Sequence, residues 1–280
     1  MLKDFATSIV GTMRQNGFQA YLVGGCVRDL LLQREPKDYD VASDATPKQV
    51  MKIFPETYAV GAQFGVVLVP LSESERGTEH ASSKSHAVEV ATFRSDLGYS
   101  DGRHPDEVRF SKNPQEDVER RDFTINGMLL DPVSGEVLDL VGGRDDLKAG
   151  IIRTIGDPRR RFGEDKLRML RAVRFAARFE YQIDPATFAA IRALAEQIRV
   201  VSRERVRDEL TRMLTEGHAR RAFLLAAVLK WNEVMNVSPS GLWPLSRQGD
   251  ASQPLSKWRG DRQAGTPFSF RQSARSERNA

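Results

Sequence analysis

The sequence predicts an α+β fold in which a mixed sheet with helices is followed by an all-helical region. From residue 164 the strand pattern stops, and helical periodicity continues to about residue 230. A chain of 280 residues is long enough for one substantial domain and a second, smaller one. Four apolar or alternating runs in the first region have the length and composition of strands, at residues 20–23, 39–42, 66–70 and 88–93.

Two helices and two loops are expected around these strands. Residues 1–17 have the spacing of an amphipathic helix, and residues 47–54 follow Thr46, a suitable N-cap, with proline at the first helical position. Residues 72–86 lack large apolar side chains and are expected to join two strands of one hairpin. Residues 95–106 are rich in Gly, Asp and Ser and predict a longer mobile loop, a kind of segment that often carries function.

Composition and charge limit the classes of function. Cys26 is the only cysteine, so neither an internal disulfide nor a cysteine-based zinc site can form, which favours a cytoplasmic protein. Charged side chains interrupt the N-terminal apolar positions, so no signal peptide is expected, and the longest apolar run, 222–229, is far too short to cross a bilayer. The formal net charge is −6 over residues 1–156 and +6 over residues 157–221. This distribution suits a metal site beside a track for a polyanion, although a solvated charged helix face gives the same pattern.

An Asp-x-Asp pair lies on the second predicted strand. Asp38 and Asp40 flank Tyr39, and because side chains alternate between faces along a strand, both carboxylates are expected on one face. Adjacent carboxylates repel each other unless a cation lies between them, and Mg²⁺ prefers oxygen ligands and often bridges carboxylates to phosphates. Glu89, on a later predicted strand, is the candidate third ligand. Turns and N-caps also use Asp-x-Asp, and Glu89 could equally face solvent.

Two glycines stand between the first predicted strand and an apolar helix. Gly24 and Gly25 allow close backbone approach, and a helix N-terminus offers free N–H groups to a phosphate. Arg28 would lie in the first turn of that helix. An ordinary tight turn also explains a glycine pair, but Asp38 follows so closely that a phosphate cradle and a metal site would occupy consecutive elements. Together these motifs suggest triphosphate binding.

Two further clusters carry polar side chains at helical spacing. In ERRDFTINGM, Asp122 and Asn126 would share one helix face and could bond ribose hydroxyls while one of the arginines meets phosphate. The alternative is a capped helix with surface charges. Later, Asp165 and Arg168 are three residues apart, so they could meet and present an acceptor beside donors to the edge of a base.

An arginine-rich helix is expected in the second region. Arg168, Arg171, Arg174 and Arg178 fall on one stripe, largely opposite Met169, Val173, Ala176 and Ala177. This pattern predicts a helix that is basic on one face and buried on the other. A salt-bridged exposed helix is the alternative.

Taken in order, these motifs resemble those of a known family. They are similar to the motifs of the class II, bacterial-type tRNA nucleotidyltransferases and the related bacterial poly(A) polymerases, from about residue 21 to residue 214. The stretches that carry the resemblance are LVGGCVRDLLL, KDYDVAS, VEVATFR, RRDFTINGM, DLVGGRDDL, EDKLRMLRAVRFAARF and VSRERVRDEL. The resemblance implies a nucleotidyltransferase head like that of DNA polymerase β over residues 1–141 and a helical neck that binds nucleotide and RNA over 142–230. The Ser/Arg-rich residues 231–280 predict an irregular, disordered tail.

The resemblance also implies roles for the candidate residues. Asp38 and Asp40 would be the metal ligands, with Glu89 completing the catalytic carboxylates. The residues expected to hold the phosphates and ribose of the nucleotide are Gly24, Gly25, Arg28, Arg121, Asp122 and Asn126. The residues expected to select CTP or ATP without a nucleic-acid template are Glu164, Asp165, Arg168 and Arg171. By the same likeness, Gly142 and Gly143 would form a hinge, and the loop at 95–106 would assist the final A addition.

The implied reaction is the addition of C residues, A residues or both to the 3′ end of tRNA from CTP and ATP, that is, complete CCA addition or the partial addition of CC or A. One Mg²⁺ would lower the pKa of the RNA 3′-hydroxyl and a second would neutralise the leaving pyrophosphate. Poly(A) polymerase activity is the nearest alternative. A non-catalytic RNA-binding remnant is another, because the likeness fades after about residue 229, where the family continues into further helical domains. No membrane partner is expected, and the oligomeric state stays open.

Overall fold

The computed structural model describes five stretches of the chain. They are residues 1–59, 61, 64–71, 87–102 and 105–228. All of them belong to one compact unit, Met1–Ser238, and a second unit, Pro239–Ala280, lies wholly outside the described residues. The expected hairpin connection at 72–86 and the expected tail at 231–280 also fall outside them. The proposed division of the chain at residues 141 and 230 stays a prediction.

A six-stranded mixed sheet forms the first region. Its strand order is β3-β4-β2-β1-β7-β8, and β5 pairs with β6 in a separate small sheet. The strands are β1 (Ala20–Val23), β2 (Asp40–Ser43), β3 (Val66–Pro70), β4 (Ala87–Thr92), β5 (Arg94–Leu97), β6 (Glu107–Phe110), β7 (Met128–Leu130) and β8 (Val137–Asp139). All four strands that the sequence predicted are present, because each carries apolar side chains that the sheet buries.

The pairing of β2 decides where the first acidic motif lies. This strand runs antiparallel to β1 and parallel to β4. The register pairs Asp40 with Val23 on one side and with Glu89 on the other. Val23 is the last residue of β1, so Gly24 and Gly25 follow directly beside Asp40. The glycine pair and the acidic motif therefore meet at the same end of the two central strands, β1 and β2.

The predicted mobile loop at 95–106 is partly a strand. Residues Arg94–Leu97 pair antiparallel with Glu107–Phe110, so the Gly- and Asp-rich residues connect a short hairpin. Residues 103–104 lie outside the described chain. Strand β5 has a single apolar residue and gives no strand pattern, whereas β6 does alternate polar and apolar residues over four positions, a usable signal that the sequence prediction missed.

Ten helices occur in the described residues. The helices expected at residues 1–17 and 47–54 correspond to the first and third of them, and the apolar helix expected after the glycine pair is the second. They are α1 (Leu2–Gln15), α2 (Gly25–Leu31), α3 (Pro47–Ile53), α4 (Pro114–Glu119), α5 (Gly143–Ala149), α6 (Pro158–Glu164), α7 (Leu167–Arg178), α8 (Pro185–Leu194), α9 (Arg203–Thr215) and α10 (Ala219–Val228). Within these described ranges, no helix is long and apolar enough to cross a bilayer.

The second region is helical except for one pair of short strands. β9 (Ile151–Ile152) pairs in parallel with β10 (Gln182–Ile183), so the expectation of no strand beyond residue 164 is wrong at this place. Two residues are too few to produce a strand pattern in the sequence. The apolar face of α7 is buried as predicted, with Met169 and Val173 fully enclosed, and this helix packs against α9 and α10.

Candidate active site

Asp40 is the first residue of β2, and Asp38 lies two residues before it. Tyr39 and Val41 are buried, whereas Asp38 is exposed and Asp40 partly so. This alternation of burial agrees with the expectation that the two carboxylates share one face. Burial and the negative charges of Asp38 and Glu89 raise the pKa of Asp40 to about 7, while the charge of Arg121 opposes the shift. A cation at this place would stabilise the ionised form of Asp40.

Glu89 lies beside Asp40 but does not complete a metal cluster. It is exposed on β4, where the parallel register makes it the direct partner of Asp40. Among the residues that the structure describes, no group of three or more Asp, Glu, His or Cys side chains is close enough to hold a metal ion. The role of Glu89 as a third ligand stays a prediction without support from this geometry.

Gly24 and Gly25 connect β1 to α2 next to Asp40. Gly24 has a φ of +80°, a backbone conformation that favours glycine. A Cβ at Gly24 would lie 3.2 Å from Nη1 of Arg121, and a Cβ at Gly25 would lie 3.6 Å from Nη2 of Arg28. Two guanidinium groups therefore lie over the glycine pair. The positive charge of these groups suits phosphate oxygens.

Asp122 and Asn126 are hydrogen-bonded to each other. Asn126 Nδ2 donates to Asp122 Oδ1 at 3.1 Å, and Arg28 Nη1 donates to Asn126 Oδ1 at 2.6 Å. The other oxygen of Asp122 accepts from Nε and Nη2 of Arg171, at 2.8 and 2.6 Å. Burial alone would raise the pKa of Asp122, but the charge of Arg171 and the hydrogen bonds from Asn126 and Arg171 together hold the pKa well below its usual range. Arg171, expected near the base, thus contacts a residue expected to hold ribose.

The prediction that Asp122 and Asn126 lie on one helix is wrong. The preceding helix, α4, ends at Glu119, and only Thr124–Asn126 forms a short 3₁₀ helix. Between them the backbone of Phe123 is extended and pairs with a later segment in an isolated bridge. A long-range contact, which sequence spacing does not reveal, therefore overrides the local helical pattern.

Asp117 anchors both arginines that precede Asp122. It is fully buried, and its Oδ1 accepts from Nε and Nη2 of Arg120 at 2.9 and 2.6 Å. Its Oδ2 accepts from Nε and Nη2 of Arg121 at 3.2 and 2.9 Å. Burial alone would raise the pKa of Asp117, but the charges of Arg121 and Arg120 hold it below its usual value. Asp117 is not among the residues predicted from the sequence, although its spacing of three and four residues from the arginines is a usable signal.

The carboxylate of Glu164 is engaged by three arginines. It accepts from Arg168 Nη1 at 2.8 Å and from Nη1 of Arg161, and its Oε1 lies 3.3 Å from Nε of Arg160. Glu164 therefore holds Arg168 in place instead of offering a free acceptor of its own.

Asp165 and Arg168 do not form the predicted pair. Asp165 Oδ2 accepts from Nη2 of Arg205 at 2.8 Å, and Oδ1 accepts from the backbone N–H of Leu167 at 3.0 Å. No hydrogen bond or ion pair within the described part of the chain joins the side chains of Asp165 and Arg168. The reason is that α6 ends at Glu164 and Asp165 has extended backbone, so helical spacing does not apply. Arg205 lies in VSRERVRDEL, a stretch of the resemblance to which the sequence assigned no role.

The prediction of a basic face on α7 is wrong for the last two arginines of that helix. Arg174 is buried, and its Nε lies 2.5 Å from Glu209 while its Nη1 lies 3.0 Å from Glu216. Arg178 lies 3.3 Å from Glu216 as well. Carboxylates from α9 and the residue after it neutralise this end of α7, which is therefore salt-bridged, as the alternative had it, but not exposed.

A cavity of about 310 Å³ adjoins the predicted base-selecting residues. Its lining residues are Asp96, Gly98, Tyr99, Arg160, Gly163 and Glu164. Because residues from both segments line this cavity, the connection after β5 lies near the end of α6, and within that connection Tyr99 donates to Asp96 at 2.8 Å. A larger cavity, about 640 Å³ and lined in part by Leu31 and Arg144, contains none of the predicted site residues.

Comparisons with known proteins identify the family. Residues 20–153 match the model of the poly A polymerase head domain, and residues 180–229 match that of a probable RNA- and SrmB-binding site of polymerase A. The chain is also 41% identical over 236 residues to the CCA-adding enzyme of Oceanobacillus iheyensis. The chain belongs to the tRNA nucleotidyltransferase and poly(A) polymerase family.

Other members of the family agree in sequence and fold. The CCA-adding enzyme of Geobacillus stearothermophilus is 41% identical, over 79% of this chain and 52% of its own length. The crystal structure of the Bacillus stearothermophilus CCA-adding enzyme in complex with CTP has a TM-score of 0.71 and 38% identity, covering 82% of this chain and 52% of that one. The chain thus spans about half the length of the curated relatives that it matches.

The two family matches divide the candidate site. The first range contains the acidic motif, the glycine pair and the segment from Asp117 to Asn126. The interval 154–179, which lies between the matched ranges, contains the candidate base-selecting residues. The contacts of Asp165 with Arg205, and of Glu164 with Arg168, therefore link this interval internally and to the second matched range.

Proposed function

We propose that this chain is a template-independent RNA nucleotidyltransferase that adds C residues, A residues or both to the 3′ end of tRNA, using CTP and ATP and releasing pyrophosphate. The observation that carries the proposal is the 41% identity with a CCA-adding enzyme across 84% of this chain. The geometry supports it, because Arg121 lies over Gly24 and its charge acts on Asp40, so that phosphate-binding and acidic groups adjoin. We place the activity in the cytoplasm, since a single buried cysteine suits a reducing compartment.

We propose Mg²⁺ as the cofactor, with Asp38 and Asp40 as its ligands. The donor set fits a hard cation, because burial and then the negative charges of Asp38 and Glu89 raise the pKa of Asp40, and a bound cation would offset that destabilisation of the ionised carboxylate. When bound, Mg²⁺ would neutralise phosphate charge and lower the pKa of the RNA 3′-hydroxyl.

The remaining residues would bind and orient the substrates. Arg28 and Arg121 would donate to triphosphate oxygens, and Asp122 would accept from a ribose hydroxyl. Asp165 and Arg168 would present an acceptor and donors to the edge of the base. No covalent intermediate is required, so catalysis would consist of positioning and charge stabilisation.

The decisive experiment measures incorporation of labelled CTP and ATP into a tRNA that lacks its 3′-terminal CCA. The assay is run with Mg²⁺ and with excess chelator. A matched control is Glu35→Gln, which removes an exposed carboxylate three residues before Asp38 and should leave incorporation unchanged. Incorporation of CTP that requires the divalent ion supports the proposal.

The same assay separates the alternatives. The poly A polymerase head-domain match favours polyadenylation as the second candidate, and long products from ATP alone would identify it. A short product from ATP alone would indicate A addition. No incorporation of either nucleotide, with RNA binding retained, would identify a non-catalytic RNA-binding protein and overturn the proposal.

A further inference from the structure

Arg161 joins two segments of the candidate site that lie far apart in sequence. It lies on α6 and is buried, with 7% of the residue exposed. Its Nη1 donates to Glu164, and its Nη2 donates to the carbonyl oxygen of Arg120 and, at 2.5 Å, to that of Arg121. One guanidinium therefore ties the end of α6 to the two residues directly before Asp122.

Arg168 uses two of the same acceptors. Its Nη1 donates to Oε2 of Glu164 at 2.8 Å, and its Nη2 donates to the carbonyl oxygen of Arg120 at 3.3 Å. Its Nη1 also reaches the carbonyl oxygen of Arg161 at 3.0 Å. Two like charges thus share one carboxylate oxygen and one carbonyl oxygen, and the place of each guanidinium depends on the other.

Burial of the Arg161 side chain costs free energy, and its position on α6 does not by itself explain why it is buried. Its Nε is buried and has no hydrogen-bond partner in the described chain. Burial, and then the charge of Arg168, lower the pKa of Arg161. Buried donors without partners are rare in folded proteins. The contacts with Arg120, Arg121 and Glu164 are therefore what hold this side chain in place.

We propose that Arg161 is a positioning residue that sets the spacing between the base-selecting side chains and the residues that hold the sugar and phosphates. The inference rests on the proposed function. Arg121 and Asp122 follow α4, whereas Glu164 and Arg168 lie at α6 and α7, and a nucleotide must contact both groups at once. Arg161 touches both groups without being one of the proposed nucleotide contacts, so its effect on selection would pass through Arg168. Recognition of a base edge is sensitive to displacements of about 1 Å.

The test compares Arg161→Gln and Arg161→Lys with Arg160→Gln. Arg160 is the matched control, because it lies on the same helix and also approaches Glu164, but its side chain is 81% exposed and makes no described contact with Arg120 or Arg121. Each variant is assayed with CTP and with ATP on a tRNA lacking its terminal CCA, and kcat and KM are measured separately. Thermal unfolding monitors the folded fraction.

For Arg161→Gln we expect KM for CTP to rise about tenfold and the preference for CTP over ATP to fall about tenfold, with a smaller change in kcat. Arg161→Lys keeps the charge but cannot span all three acceptors, so it should recover part of the preference. Arg160→Gln should match the wild type. A purely structural role would instead lower kcat for both nucleotides equally and leave KM and the preference unchanged.

The inference is overturned if Arg161→Gln keeps the wild-type KM and preference. If that variant does not fold, Arg161→Lys decides the question by the same two measurements. If the wild type itself incorporates neither nucleotide, the proposed function fails and the inference fails with it. If the wild type is active but Arg161→Gln keeps its KM and preference, only the inference fails.

Discussion

Asp165 accepts a hydrogen bond from Arg205 at 2.8 Å, although Arg168 is its much nearer neighbour in sequence. Arg168 is held by Glu164 instead. The acceptor and the donors proposed to read the base are therefore oriented by separate partners, one on α9 and one at the end of α6. Selection of the nucleotide should depend on both supporting residues.

Asp165→Ala should blur the choice between CTP and ATP. Removal of the acceptor takes away a hydrogen bond to the base edge, so the preference for CTP should fall about tenfold, with a smaller loss of kcat. Arg205→Gln should shift the preference in the same direction, because it frees the Asp165 side chain. Steady-state kinetics with each nucleotide test this expectation, and complete inactivity with unchanged selectivity would contradict it.

Asp40→Asn should abolish nucleotide incorporation while leaving the fold intact. The amide removes one of two proposed anionic ligands and should lower kcat by at least about a hundredfold. In metal-free buffer at pH 8 the variant should unfold at the same temperature as the wild type or higher, because it lacks a carboxylate whose ionised form is disfavoured by burial and by the charges of Asp38 and Glu89. Appreciable activity in the purified variant would overturn the metal-site assignment.

Glu209→Ala should destabilise the protein strongly. Glu209 and Arg174 form a buried pair with 4% and 5% of their side chains exposed, so truncation leaves a buried guanidinium partly unpaired. The free energy of unfolding should fall by about 3–5 kcal/mol, measured by urea denaturation. Asp208→Asn is the control, because its pair with Arg207 is exposed. Loss of that pair should change the free energy of unfolding by less than about 0.5 kcal/mol. Equal effects of the two substitutions would be inconsistent with the buried pair.

Asp117→Asn should reduce both stability and nucleotide binding, with a defined pH dependence. The folded protein holds the pKa of Asp117 below its usual value of 3.8, so the ionised side chain stabilises the fold above about pH 4. That contribution is lost as the pH falls below 3.8 towards the folded pKa. In urea denaturation between pH 3 and 7, the free energy of unfolding should therefore decrease less on acidification for Asp117→Asn than for the wild type. Glu119→Gln, an exposed change on the same helix, should leave the acid dependence as it is.

Cys26 should be unreactive in the native protein. Burial, with a contribution from the negative charge of Asp40, raises the pKa of its thiol from 9.0 to about 11. At pH 8 this shift alone lowers the thiolate fraction about a hundredfold relative to the unfolded chain. Because Cys26 is the only cysteine, a colorimetric thiol reagent reports on it directly, with urea-unfolded protein as the reference. Rapid reaction under native conditions would show that α2 opens readily.

The sequence predicted the parts of the structure that depend on local patterns. Strand β1 and the burial of Tyr39 and Val41 follow from alternation of apolar side chains, and α7 follows from helical periodicity. The partners of charged residues were not predictable in the same way. Asp165 finds Arg205 forty residues away, a contact that depends on how α9 packs against α7. The helix expected at Asp122 failed for the same reason, since the bridge formed by Phe123 is a long-range contact.

Gly143 lies against the segment that carries Asn126. A Cβ added at Gly143 would collide with the carbonyl oxygen of Thr124 and come within 2.9 Å of Met128. Every larger residue there must displace the turn on which the amide of Asn126 depends. In a mutational library scored for sugar discrimination, ribonucleotide against deoxyribonucleotide, this position should therefore behave like a substrate contact even though it touches no substrate.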